Sequence, residues 1–105
     1  MTEILMGKEF FTICAKGHTG YAPRGSDIVC SAVSTLMQTY PAALRRAGIE
    51  PVVISGKGAM AVVPNIGSSD EAKARAGIIY ATVAAGLRLL ERSYGDNIRI
   101  RETGA

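Results

Sequence analysis

There is no tryptophan in this chain, and only six of its 105 residues are aromatic. A core of this size must therefore be built largely from aliphatic side chains. Histidine occurs once and cysteine twice. A zinc site has neither a fourth ligand nor a C-x-x-C pair among them, so no metal and no cofactor is expected. No G-x-x-x-x-G-K-[ST] stretch is present, which leaves phosphate binding without a motif. No segment approaches the ~20 apolar residues needed to span a bilayer, and "MTEILMGKEFF" lacks the apolar stretch of a signal peptide. A cytoplasmic location without membrane contact follows as the expectation. In a reducing compartment two cysteines read as thiols, so a Cys14–Cys30 disulfide is disfavoured. The net charge is +3, but the arginines and lysines are scattered. Without a run of five or six basic residues, nucleic acid is a poorly supported partner.

What is present suits one domain over residues 1–105. Apolar residues make up 48% of the chain. A domain this small buries about two-thirds of its unfolded surface, and oligomerisation would bury more. "EILMGKEFFTICAKG" reads as two short strands around Gly7, with Cys14 in a strand pattern and read as a core thiol. Gly17 to Gly25 is a loop. Ser26 or Asp27 can cap a helix whose apolar stripe runs Val29, Val33, Leu36 or Met37, Tyr40 and Leu44. Pro41 is expected to end or kink it near Tyr40, with a further turn to Arg46 as the alternative. Gly48 closes the segment.

"PVVISGKGAMAVVP" reads as a β-hairpin. The next helix has Ser68 and Glu71 as a capping box and Ala72, Ala76, Ile79, Tyr80, Val83, Leu87 and Leu90 on one stripe. Gly95 is its expected C-terminal cap. "NIRIR" alternates as a final half-buried strand. The order is β-β-α-β-β-α-β, an α+β fold with a small mixed or antiparallel sheet and two packed helices.

Chemistry concentrates in "GHTGYAPRGSDIVC". Cys30 falls in the first turn of the first helix. Unpaired N–H groups and the dipole there favour an anion, and a thiolate is the nucleophilic form of cysteine. His18 lies twelve residues earlier, across a loop whose glycines let it fold back. The two can form a nucleophile and base. Equally, a cysteine in a small domain can be an inert buried side chain. Asp27 reads first as the helix cap that fixes how Cys30 is presented. If it reached His18 it would favour a protonated imidazole. Ser34 is one turn beyond Cys30 on the same face. Tyr21 and Arg24 lie in the loop, in reach of substrate or water. First-turn N–H groups are the expected oxyanion donors.

"GHTGYAPRGSDIVCSAVS" resembles the signature of the bacterial ribosomal-processing cysteine proteases, the Prp family. The shared parts are Gly17-His18, Gly25, Asp27-Ile28-Val29-Cys30 and Ser34. The resemblance implies a Cys–His dyad endopeptidase that removes a short N-terminal extension from a large-subunit ribosomal protein, cleaving after a hydrophobic, aromatic-containing motif. Cys30 would be the nucleophile and His18 the base. Asp27 and Ser34 would support the site, and Gly17 would permit loop movement. It further implies a homodimer with a mobile loop between His18 and Cys30. Some relatives are associated with phage genes, where a phage protein would be the substrate. The alternative is a non-catalytic dimeric binding module that associates with ribosomal or phage components.

Overall fold

In the computed structural model, residues 1–104 are described; Ala105, the last residue of the expected domain, lies outside them. The elements are β1 (Thr2–Gly7), β2 (Thr12–Lys16), α1 (Ile28–Arg46), β3 (Pro51–Gly56), β4 (Ala59–Pro64), α2 (Asp70–Ser93) and β5 (Ile98–Thr103). The five strands form one mixed sheet in the order β3-β4-β2-β1-β5. β5 runs parallel to β1, and the other neighbours are antiparallel.

Both helices lie on one face of this sheet, and period-two alternation decides which residues meet them. Met6, Ile13 and Val62 stand in one cross-strand row, and Ile4 and Ala15 in the next. All five are buried, together with Ile98 and Ile100 of β5. The opposite face carries the row Leu5, Cys14, Ala61 and Ile54. Cys14 is therefore not a core thiol. Its neighbours Ile13 and Ala15 take the inward positions, which turns Cys14 to the face without helices, where it is half-buried. Both cysteines are free thiols.

The stripe expected on α1 is buried at Val29, Val33, Met37, Tyr40 and Leu44. Pro41 neither ends nor follows the helix but lies inside it. An interior proline costs about 3 kcal/mol. Stopping at Tyr40 would expose Pro41 and Leu44, both buried on the stripe. Burial of one such side chain is worth about 1.5–3 kcal/mol, so tertiary packing offsets the local penalty. The end comes at Ala47. There Gly48 N–H donates to Arg45 O and Ile49 N–H to Leu44 O, the paired bonds of a Schellman motif. Ile49 and Leu44 are both buried, which supplies the accompanying apolar contact.

α2 starts one residue later than its serine pattern suggests. Ser69, not Ser68, is the N-cap, and its hydroxyl accepts from Ala72 N–H. Asp70 and Glu71 then fill the first turn, where negative charge suits the dipole. At the other end Tyr94 is the cap, and its N–H donates to Leu90 O; Gly95 follows it. Ala76, Tyr80, Val83 and Leu87 are buried along the expected stripe. Tyr40 is fully buried between the layers and donates its hydroxyl to Phe11 O at 2.5 Å. Phe11 has a φ of 57°, unusual for a bulky residue, and this bond helps hold the β1–β2 turn in that shape.

Candidate active site

The site forms where β2 ends and α1 begins. Asp27 is the N-cap of α1, and its Oδ1 accepts from Cys30 N–H at 2.8 Å. Its Oδ2 accepts from the Thr19 hydroxyl at 2.5 Å and from the N–H groups of Tyr21 and Ala22 at 3.0 and 3.3 Å. One carboxylate thus ties the loop to the start of the helix. Its burial, with 9% exposure, works against the charge. The hydrogen bonds from Thr19, Cys30, Ala22 and Tyr21 outweigh that and bring its pKa from the usual 3.8 to about 2. Asp27 is a permanent anion at neutral pH. Its hydrogen bonds go to these four residues rather than to His18, so it acts as the cap and not as an imidazole partner.

This cap changes one expectation. The Cys30 N–H is committed to Asp27, and Ser31 N–H donates to Asp27 O. The Cys30 amide is therefore not an oxyanion donor in this arrangement.

Cys30 is the third residue of α1 and half-buried. Two cavities flank it. One, of about 240 Å³, lies between α1 and the ends of β2 and β4; Val33, Met37 and Met60 give it apolar walls, and Ser34 stands on its rim. The other, of about 300 Å³, lies under the loop and is lined by Arg24, Asp27 and Ser31 among others. His18 and Cys30 are the two residues that line both. His18 and Cys30 thus stand on the boundary between the two cavities. Ser34 faces only the first cavity and Asp27 only the second.

Gly17 has a reason to be glycine that loop movement does not supply. Its φ is +92°, and a Cβ built on it would lie 2.7 Å from the Met1 carbonyl oxygen. A side chain there would meet both backbone strain and a close contact. His18 is exposed, with Nε2 at 3.8 Å from where a Cβ on Gly58 would stand. The imidazole thus sits over the β3–β4 turn. Tyr21 is 48% exposed and packs edge-on against Tyr94, ring centroids 5.4 Å apart. Arg24 is exposed on the second cavity.

The family model of the cysteine protease Prp matches residues 1–99. The chain belongs to this family. Membership in the Prp family decides between the protease and the binding module: the protein is a cysteine protease. No curated protein matches the chain. Among solved structures it is similar to the essential ribosomal processing protease Prp from S. aureus in complex with a covalently linked product peptide. That match has 21% identity, covers 97% of each chain and has a TM-score of 0.80. The same protease in complex with a substrate peptide matches with 19% identity over 98% of this chain and 100% of the other, TM-score 0.79. SMU.848 from Streptococcus mutans matches with 18% identity over 97% and 91%, TM-score 0.70. These likenesses establish the mixed-sheet fold with its two helices.

Three residues of the site carry no signal in the sequence. Thr19 lies in the loop beside His18, but only the fold makes it a buried donor to Asp27. Gly58 comes from a hairpin turn 40 positions beyond His18. Asn97 donates its side-chain amide to Thr19 O across a separation of 78 residues. No spacing rule reaches contacts of that range.

Proposed function

We propose that residues 1–105 act as one endopeptidase domain in which Cys30 is the nucleophile and His18 the base. The observation that carries this reading is the shared wall: these two residues line both cavities. A peptide running from one cavity to the other passes its backbone between them. His18 takes the thiol proton of Cys30, and the sulfur attacks the scissile carbonyl and forms a C–S bond. The C–N bond then breaks as His18 passes a proton to the leaving amine, which departs with the C-terminal part. Water, deprotonated by His18, attacks the thioester, and the acid product leaves as the sulfur recovers its proton.

The supporting residues have separate tasks in this scheme. Asp27 holds the helix start and the loop in register. Ser34 offers a hydroxyl to substrate on the apolar side, and Gly17, at a positive φ with no room for a Cβ, sets the backbone turn that carries His18. The walls of Val33, Met37 and Met60 suit a hydrophobic or aromatic side chain next to the cleaved bond. The substrate class is the N-terminal extension of a large-subunit ribosomal protein, or a related phage protein. The S. aureus relative is itself a ribosomal processing protease. The protein works in the cytoplasm as a homodimer. The outer sheet face supports dimerisation: Leu5, Val52 and Ile54 are 41%, 50% and 69% exposed there, an apolar surface that a second copy would cover.

Incubation with candidate ribosomal and phage precursor proteins, followed by mass spectrometry of new N-termini, tests the reading. One new N-terminus is expected after a hydrophobic stretch, lost in both Cys30→Ala and His18→Ala. Cleavage that survives Cys30→Ala would refute it.

A further inference from the structure

The backbone on either side of His18 is held from outside its own loop. Gly17 N–H donates to Gly58 O at 3.0 Å, and Gly17 O accepts from the Thr2 hydroxyl at 3.2 Å. On the other side, Thr19 O accepts from the side-chain amide of Asn97 at 2.9 Å. Asn97 also reaches the first side. Its backbone carbonyl accepts from Thr2 N–H at 2.9 Å, which seats the residue whose hydroxyl holds Gly17. Asn97 is fixed in turn by its own N–H, which donates to Tyr94 O at 2.8 Å at the end of α2. Thr2 and Thr19 are each only 2% exposed, whereas Gly17 is exposed and Asn97 half-buried, so these bonds are partly shielded from competing water.

We propose that Asn97, with Thr2 as its relay, is a positioning residue for His18. This rests on the reading of Cys30 and His18 as the reacting pair. The physical argument is one of restraint. The imidazole is exposed, so its placement depends on the backbone that carries it more than on packing around the ring. That backbone is pinned at Gly17 and Thr19, and both pins lead to one residue in the α2–β5 turn: Thr19 to the Asn97 side-chain amide, and Gly17, through Thr2, to the Asn97 backbone carbonyl. The amide is required as a donor, because Thr19 O can only accept. An aspartate at position 97 would have nearly the same volume but would set a carboxylate oxygen against that carbonyl. At Thr2, valine keeps the shape and removes the hydroxyl, whereas serine keeps the hydroxyl.

Displacing a catalytic group by about 1 Å can cost on the order of 100-fold in rate. Asn97→Asp and Thr2→Val are therefore expected to lower kcat by about 10- to 100-fold with KM little changed, while Thr2→Ser stays near wild type. The substrate is the peptide spanning the site that the wild-type protein is found to cleave. In parallel, iodoacetamide labelling of Cys30 at neutral pH, mapped so that Cys14 is read separately, is expected to slow in the first two variants. Thermal melts establish that each variant is folded at the assay temperature. A purely structural role would lower the melting temperature and leave the kcat of the folded protein and the serine rescue unmoved. Wild-type kcat in folded Asn97→Asp, or in Thr2→Val should Asn97→Asp not fold, would overturn the inference while Cys30→Ala remains inactive. Cleavage persisting in Cys30→Ala would instead overturn the dyad reading, and this inference with it.

Discussion

Replacing Gly17 by alanine separates two costs that the structure assigns to that position. The first is conformational: at φ +92° an L-residue is in a region that costs about 1–2 kcal/mol. The second is steric: the new Cβ would stand 2.7 Å from the Met1 carbonyl oxygen. A forced contact of this kind costs about 1–3 kcal/mol once the neighbours have shifted. Together they come to about 2–5 kcal/mol, a large share of the 5–15 kcal/mol that holds a typical domain folded. Gly20 is the control. Its φ is +68°, and nothing lies within 4 Å of a Cβ built on it, so Gly20→Ala should carry only the first cost. In urea denaturation, both variants should shift to lower midpoints without a change of slope, and Gly17→Ala should shift further. A thermal melt should show the same order, about 4–8 °C for each kcal/mol in a domain of this size. Equal midpoints for the two variants would refute the close approach to Met1. Wild-type midpoints for both would refute the positive φ at both positions.

Other outcomes follow from individual contacts. Tyr40→Phe removes the hydroxyl that Phe11 O accepts; loss of the bond costs about 1 kcal/mol, rising to ~3 if the carbonyl is left unsatisfied, and chemical denaturation reads it directly. Asp27 is held at about 2 against a usual 3.8. Its contribution is therefore fully present above about pH 4 and is lost as the pH falls through about 2. Urea midpoints taken from pH 5 to pH 2 should fall in wild type and lose that component in Asp27→Asn. An unchanged pH slope in Asp27→Asn would contradict the hydrogen-bond count around the carboxylate. On the outer sheet face, Ile54→Asp should dissociate the proposed homodimer to monomer in sedimentation equilibrium. A wild-type protein that sediments as a monomer, or a variant that stays dimeric, would remove that face as the interface.

The site is served by elements of unequal legibility. The α2 stripe and the alternation of "NIRIR" are periodic, so burial follows from pattern alone, and the hairpin over 51–64 is marked by its glycine turn and β-branched arms. Asp27 is legible as a cap because its side chain acts within three residues. At Pro41 local rules favour an end or kink near Tyr40 over the further turn to Arg46 that the helix takes: helix termination is a short-range penalty, whereas the compensating burial of Leu44 depends on a sheet that local sequence does not describe. The shift from Ser68 to Ser69 has a similar origin, since adjacent serines offer the same chemistry and only the approach of the chain selects one. Cys14 is misplaced because both faces of "FFTICAK" are partly apolar, and the pattern does not say which of them the helices cover. The proposed pairing of His18 with Cys30 has motif support in the sequence, but the restraints on His18 do not. Thr2, Gly58 and Asn97 come from three distant segments that meet only when β1, the β3–β4 turn and the start of β5 assemble.

The central claim is that one thiol, at the third position of α1 and on a wall shared with His18, forms the covalent intermediate. The most direct measurement is peptide mapping after reaction with a peptidyl chloromethyl ketone that carries a hydrophobic aromatic residue at the reactive end. A single adduct on Cys30, formed much more slowly in His18→Ala, is the expected result. Labelling on Cys14 instead, or labelling of Cys30 at the same rate without the imidazole, would contradict the account.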